Sequence, residues 1–314
     1  MNDVLDIFRT LADPTRLRIL ALLRQMELSV GELAQVLGQS QPRVSRHIKI
    51  LADARLIDRR KEGSWVFLAL GDPARLDPIF AAIDAWSVDQ GDHWGLADVA
   101  RLAAVRADRA AAAERYFESQ AANWDAVRSL HVPEAEVEAA MARALGQRPL
   151  GRLVDIGTGT GRMLELFGAR AQSALGVDRS PEMLRLARAK LADRGVDLRQ
   201  GDMYALPLDS GSADTVILHQ VLHYAQQPAL AIAEAARLLA PSGVFCIVDF
   251  AAHDHEELRS RDAHARLGFD DDQIARWFAA AGLDGGAVDS LPGDVLTVKL
   301  WLGRRPAAIK DLAA

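Results

Sequence analysis

Asp155-Ile156-Gly157-Thr158-Gly159-Thr160-Gly161 is the stretch on which the reading of the larger part of the chain turns. It follows the apolar run Leu153–Ile156, so it reads as a glycine-rich turn leaving the end of a strand. Glycines let the backbone turn sharply and approach a ligand that a Cβ would exclude. A dinucleotide fold would favour GxGxxG, but the position of its third glycine is Arg162, which argues against a bound pyrophosphate. Outward from the loop, Ala174–Val177, Val196–Gln200, Thr215–Leu218, Val244–Val248, Val288–Ser290 and Val295–Leu302 read as further strands separated by helical stretches. That alternation predicts a mainly parallel sheet covered by helices, with a ligand at the C-terminal ends of its strands.

Two more strand ends carry suitable chemistry. Asp178 lies 23 residues after Asp155 and closes the second strand, where a carboxylate can accept both ribose hydroxyl protons. After the third strand, Asp202 offers an acceptor for an adenine amino group, and Met203 an apolar neighbour for its ring.

The chain is 314 residues long, half of it apolar and a quarter charged, which exceeds the usual size of one compact domain. Its longest stretch without formal charge, Thr215–Ala233, is interrupted by three Gln and two His, so no membrane span is expected. The start, MNDVLDIFRT, has no basic segment followed by an apolar run; a soluble protein with a cytoplasmic address is expected. Cys246 is the single cysteine, which leaves no thiolate cluster for a metal.

The net charge of −6 hides a local excess of the opposite sign. Between Arg43 and Lys61, seven basic residues stand against Asp53 and Asp58. A solvated charged face is the ordinary explanation of such a run, so its context decides. Asp13-Pro14 supplies a cap and a first-turn proline for a helix. Ser29 and Glu32 have capping-box spacing ahead of a short helix that ends at Gly38. Ser40-Gln41-Pro42 opens the next helix, whose buried stripe is Val44, Ile48 and Leu51. Its other positions, Gln41, Arg43, Ser45, Arg46, His47 and Lys49, form a candidate reading face, and Asp58–Leu68 reads as a hairpin bearing Arg59, Arg60 and Lys61. Two short helices followed by a basic hairpin make a winged helix-turn-helix, which fits the major groove with the hairpin along the backbone.

The segments LADPTRLRILALL, ELAQVLGQSQPRVSRHIKIL and IDRRKEGSWVFLAL resemble the ArsR/SmtB family of bacterial repressors over about the first 85 residues. The resemblance implies operator DNA as partner and a homodimer, with Phe80, Ile83 and Trp86 as its buried face. The family's metal sites do not carry over. Glu27–Leu33 stands where arsenic- and cadmium-responsive members have cysteine, and the Arg75–Val88 helix holds no histidine; no metal is expected.

The second half resembles class I S-adenosylmethionine-dependent methyltransferases of the UbiE-like branch, over roughly residues 115–302. ADTVILHQVLHY and EAARLLAPSGVFCIVDF add later blocks in register. The resemblance assigns Asp155, Gly157, Gly159 and Gly161 to the methionine moiety of S-adenosylmethionine or S-adenosylhomocysteine, Asp178 to the ribose, and Asp202 and Met203 to adenine. It sets His219 near the sulfonium as a candidate catalytic residue; a core or capping histidine is the alternative. His223, Tyr224, His253, His255 and His264 are other possible bases, none with a spacing that names a substrate.

The expected organisation is therefore a mainly α winged helix-turn-helix domain over 1–90, a helical connector and lid over 91–149, and an α/β Rossmann-like methyltransferase domain over 150–314. Leu96, Val99, Leu102 and Val105 give the connector its stripe, and Tyr116 and Trp124 are read either as packing residues or as an aromatic lid on the ligand. Two functions fit: a regulator of methionine and S-adenosylmethionine cycle genes that senses the small molecule, or a methyltransferase of a small acceptor that controls its own operon.

Overall fold

The computed structural model describes residues 2–62, 65–86, 93–120 and 133–307. The chain divides into two compact units, Met1–Ala111 and Ala112–Ala314. The first comprises α1 (Asn2–Leu11), α2 (Pro14–Gln25), β1 (Leu28–Ser29), α3 (Val30–Leu37), α4 (Gln41–Asp53), β2 (Ile57–Glu62), β3 (Trp65–Leu70), α5 (Pro73–Trp86) and the start of α6 (His93–Gln120). Asp13 caps α2 by accepting the Thr15 and Arg16 N–H groups at 2.8 and 3.2 Å. At α3 the Ser29–Glu32 capping box closes in both directions, and Gly38 ends the helix with φ +64°, a left-handed value that favours glycine. Ser40 stands at the N-cap of α4 without a side-chain bond, contrary to the expected cap. Pro42 at the second helical position has no N–H to offer, and the Arg43 N–H at the third goes to the Ser40 carbonyl at 3.0 Å.

Ile19, Leu20, Leu33, Val44, Leu51 and Leu68 form the buried centre of this unit, and β1, β3 and β2 make its small antiparallel sheet in that order. The beginning of the expected connector belongs to the same core: Leu102 and Val105 are buried in it, while Leu96 and Val99 stay exposed. Arg18 of α2 grips Asp98 of α6 through two bonds of 2.7 Å, with both side chains nearly buried. Phe80 also turns inward, under the Arg24 guanidinium at 4.6 Å, and Ile83 packs against the core, so these two do not offer the exposed dimer face read on this segment. The Trp86 side chain lies outside the described residues. Phe8 and Leu17 are exposed; with Val4 and Leu5, Phe8 leaves α1 an open apolar side, each of the three at least half exposed.

The second unit follows with α7 (Glu134–Leu145), β4 (Gly151–Ile156), α8 (Arg162–Phe167), β5 (Ala171–Asp178), α9 (Pro181–Lys190), β6 (Asp197–Gln200), β7 (Ala213–His219), α10 (Pro228–Leu238), β8 (Leu239–Phe250), α11 (Glu257–Arg261), α12 (Asp271–Ala280), β9 (Asp284–Pro292) and β10 (Thr297–Arg304). The sheet order is β6-β5-β4-β7-β8-β10-β9. The first five strands are parallel, and β10 pairs antiparallel with both β8 and β9. All seven strands anticipated from the sequence are present. The central ones are buried on both faces, one under Met141, Leu164 and Phe167, the other under Ile232, Ala235 and Phe278. Because the chain leaves β4 toward β5 and returns to β7 on its other side, the order reverses at β4. A crevice for a ligand is expected outside the carboxyl ends of the strands there. No helix of the described residues is long and apolar enough to cross a membrane.

Removing one partner of a buried ion pair strands the other charge. Asp98→Ala should therefore destabilise the first unit by about 3 kcal/mol, seen as an earlier melting transition that Arg18→Met on the same background partly restores.

Candidate functional site

In the first unit, α4 presents Gln41, Arg43, Ser45, Arg46 and Lys49 to solvent while Val44, Ile48 and Leu51 are buried. Period-2 alternation along β2 sends Arg59 and Lys61 outward and turns Arg60 the other way. Arg60 bonds Glu27 at 2.9 Å, and His47 faces the Asp13 carboxylate at 3.8 Å, so these two are engaged within the unit. The seven others form an exposed, largely basic surface on the helix and the wing.

In the second unit the glycine loop leaves β4 as expected. Gly157 and Gly161 have φ of +69° and +82°. A Cβ on Gly157 would stand 2.5 Å from a Val221 methyl, and one on Gly161 2.5 Å from Leu191, so close packing adds to the conformational reason for glycine. Asp155 is buried at the strand end and accepts the Thr158 hydroxyl at 2.6 Å. The loop is fastened to β5 by the Gly157 and Thr158 N–H groups, which bond the Val177 carbonyl. Asp178 accepts the Gly159 N–H through Oδ2 and the Ser180 N–H through Oδ1, both at 2.8 Å. Burial pushes the Asp178 carboxyl above the ordinary range, against the opposing pull of the Ser180, Gly159 and Arg179 backbone donors. A carboxylate has about four lone-pair sites, so Asp178 keeps acceptor capacity for hydroxyl donors, and it stays partly exposed. Exposed Asp202 and half-buried Met203 follow β6. This set of acceptors beside a tight loop fits a nucleoside-type ligand.

Arg162, the residue that departs from GxGxxG, is held by Glu138 of α7 through bonds of 2.7 and 2.9 Å and by Glu165 at 2.8 Å. The position serves to dock α7 over the first turn of α8. His219 is the buried last residue of β7. Gln220 follows with φ +50°, a strained value for a residue with a side chain, at the strand end where a site is expected. The Trp124 position and the Tyr116 side chain lie outside the described residues.

Sequence reasoning did not single out the pair His223–Asp249. His223 is 2% exposed and Asp249 0%, and His223 Nδ1 lies 2.8 Å from Asp249 Oδ1. The signal was Asp249 itself, an acid closing the apolar run Val244–Val248, which has to find a partner to be buried. Buried Arg266 escaped notice too; its Nη2 donates to the Gln226 carbonyl at 2.6 Å. Among the described residues no group of three or more His, Cys, Asp or Glu is placed to hold a metal ion.

A basic helix with a wing on one unit, and an acid-lined loop at the reversal point of a Rossmann-like sheet on the other, define a winged helix-turn-helix domain followed by a methyltransferase fold. Residues 13–59 match the model described as bacterial regulatory protein, arsR family, and residues 154–247 that described as methyltransferase domain. The arsenical resistance operon repressor of Escherichia coli K12 is 42% identical over 90 residues, 27% of this chain and 74% of that protein. An uncharacterized 37.1 kDa protein in transposon TN4556 of Streptomyces fradiae is 32% identical over 201 residues; the match spans 60% of this chain and little more than half, 56%, of that relative. The YcgJ protein of Bacillus subtilis superposes with a TM-score of 0.50 at 20% identity, over 55% of this chain and 99% of that one, which shows the fold alone. The chain belongs to the ArsR family through its N-terminal domain and carries a class I methyltransferase domain behind it. That fold implies S-adenosylmethionine as the ligand class.

Alanine at 178 would also orphan the Gly159 and Ser180 N–H groups, so the cleaner probe is Asp178→Asn. It should weaken S-adenosylhomocysteine binding by about 2 kcal/mol, roughly thirtyfold by calorimetry, with little change in melting temperature. Unchanged affinity would remove Asp178 from the site.

Proposed function

We propose that this chain is a transcriptional regulator that binds operator DNA through α4 and the wing and binds S-adenosylmethionine or S-adenosylhomocysteine at the Asp155–Gly161 loop, controlling genes of the methionine and S-adenosylmethionine cycle. The observation that carries the reading is the exposed face of Arg43, Arg46 and Lys49 on a chain that also holds the acid-lined glycine loop. Asp155, Gly157, Gly159 and Gly161 would hold the methionine moiety, Asp178 the ribose, and Asp202 and Met203 the adenine. Gln41, Arg43, Ser45, Arg46 and Lys49 would read the groove, with Arg59 and Lys61 on the phosphates. His47 and Arg60 would act by steadying α4 and the wing, through their contacts with Asp13 and Glu27. The open apolar side of α1 supports a second copy docking there, which would give a homodimer reading two half-sites about 34 Å apart.

Regulation would be a coupling free energy: a ligand that prefers one arrangement shifts operator affinity by its differential affinity for the two. The segment 91–149 is the proposed route, with Tyr116 and Trp124 as ligand contacts. A second reading, a methyltransferase of a small acceptor with an autoregulatory DNA-binding domain, is favoured by the buried His223–Asp249 pair at the strand ends.

The test is operator titration at several salt concentrations, alone and with each ligand. Affinity should fall steeply with salt by counterion release. One ligand, S-adenosylhomocysteine before the methylated form, should change affinity severalfold. Arg46→Ala should lower operator affinity by about 1–3 kcal/mol, and Lys61→Ala should weaken all DNA about equally. Curves indifferent to salt and to Arg46→Ala would sink the DNA assignment; curves indifferent to both ligands would leave the enzyme reading.

Cys246 is buried inside β8, and desolvation pushes its thiol up to about 12, far from the thiolate that soft metals need. Arsenite, cadmium and zinc at micromolar concentration should leave operator affinity unchanged; stoichiometric release of DNA by any of them would contradict this.

A further inference from the structure

Resting on the methyltransferase reading of the second unit, we propose that His223 is the catalytic base of that unit, oriented by Asp249, and that its substrate is a planar phenol. Asp249 Oδ1 meets His223 Nδ1 at 2.8 Å and accepts the Phe250 N–H at 2.8 Å, while Oδ2 accepts the His223 backbone N–H at 3.1 Å. An ionised carboxylate only accepts hydrogen bonds, so the ring proton belongs on Nδ1 and Nε2 presents a bare lone pair. Nε2 is buried and has no hydrogen-bond partner among the described residues. Native proteins leave few buried acceptors without a partner, and such an acceptor calls for an explanation. A ligand's hydroxyl supplies the missing donor.

The place suits that role. His223 sits in the single helical turn Leu222–Tyr224, just beyond the carboxyl end of β7. Val221, two residues before it, packs directly against Gly157 of the glycine loop. The turn and the loop thus share the edge where bound S-adenosylmethionine would supply an electrophilic methyl group. Rings surround the imidazole: Tyr224 at 4.0 Å, His264 at 4.2 Å and Phe250 at 5.0 Å between centroids.

This chemistry selects the acceptor. Carboxylic acids ionise unaided well below neutral pH and need no base, whereas a phenol ionises near pH 10 and is protonated at neutrality. An imidazole with its lone pair free is matched to that proton, and a flat ring matches the aromatic surroundings. In the step, the phenol O–H bond breaks, its pair stays on oxygen and the proton bonds to Nε2. The oxygen pair forms the bond to a methyl carbon from a sulfonium donor, whose C–S pair departs with sulfur as a neutral thioether. The positive charge brought by the donor ends on the His223 imidazolium, and atoms and charge balance. Asp249 is a positioning residue here: it fixes the tautomer and steadies that imidazolium.

The same contacts could instead serve only to staple the turn, since the His223 carbonyl also accepts the Ala265 and Arg266 N–H groups. A staple does not use Nε2, and this separates the two roles. His223→Asn keeps an amide N–H toward Asp249 and deletes Nε2. The full chain is first shown to bind S-adenosylhomocysteine by calorimetry; failure there removes the cofactor reading itself. With that ligand bound, 4-nitrophenol is the probe, because its ionised form absorbs visible light. At a pH where most of the free probe is protonated, the wild-type chain should raise the ionised fraction severalfold. His223→Asn should abolish the rise while keeping the same affinity for S-adenosylhomocysteine. Long-range nitrogen NMR should show the Nδ1-protonated ring in the wild type, a mixture of tautomers in Asp249→Asn, and a shift of the wild-type Nε2 signal when the probe is added. That last readout decides the matter even where a variant fails to fold. Ligand binding without enhanced ionisation, a rise that survives in His223→Asn, or an Nε2 signal indifferent to the probe would overturn the proposal.

Discussion

Buried parallel strands tolerate polar groups only where they end, and the second unit is arranged around three acids in such places. Asp178 closes β5, while Asp155 and Asp249 each lie one residue before the end of their strands, β4 and β8. Each would be costly to bury alone. Asp155 is satisfied by the Thr158 hydroxyl, Asp178 by the Gly159 and Ser180 N–H groups, and Asp249 by His223 and the Phe250 N–H. The groups that meet this cost are the loops of the candidate site: the glycine turn, the entry to α9, and the turn after β7. Satisfying the acids is therefore the same act as shaping those loops.

In the first unit a comparable constraint works through caps and one ion pair. Asp13 and the Ser29–Glu32 box fix where α2 and α3 begin. Arg18–Asp98 ties α6 to α2 across 80 residues of sequence. Two other basic side chains of the unit are paired internally, Arg60 with Glu27 and Arg18 with Asp98.

What was legible in the sequence was local. The capping box, Gly38, the 3.6-residue stripe of α4 and the glycine loop all lie within a few residues of their causes, and the existence of the seven strands followed from apolar runs and their spacing. What was not legible depended on partners far away in sequence. Arg60 reads as one of three basic wing residues until the strand's alternation and Glu27 are seen together. The first turns of the connector read as separate from the N-terminal domain, because Arg18 lies 80 residues from Asp98. His223 and Asp249, 26 residues apart, were each visible, but nothing local joined them.

In the proposed function one chain links a small-molecule site to a DNA-reading face, and linkage is reciprocal in binding free energy. The most direct measurement is the affinity of S-adenosylhomocysteine for the full chain, by calorimetry, free and saturated with operator DNA. The two affinities should differ severalfold, by the same factor by which the ligand shifts operator affinity. Equal affinities in the two states would contradict it.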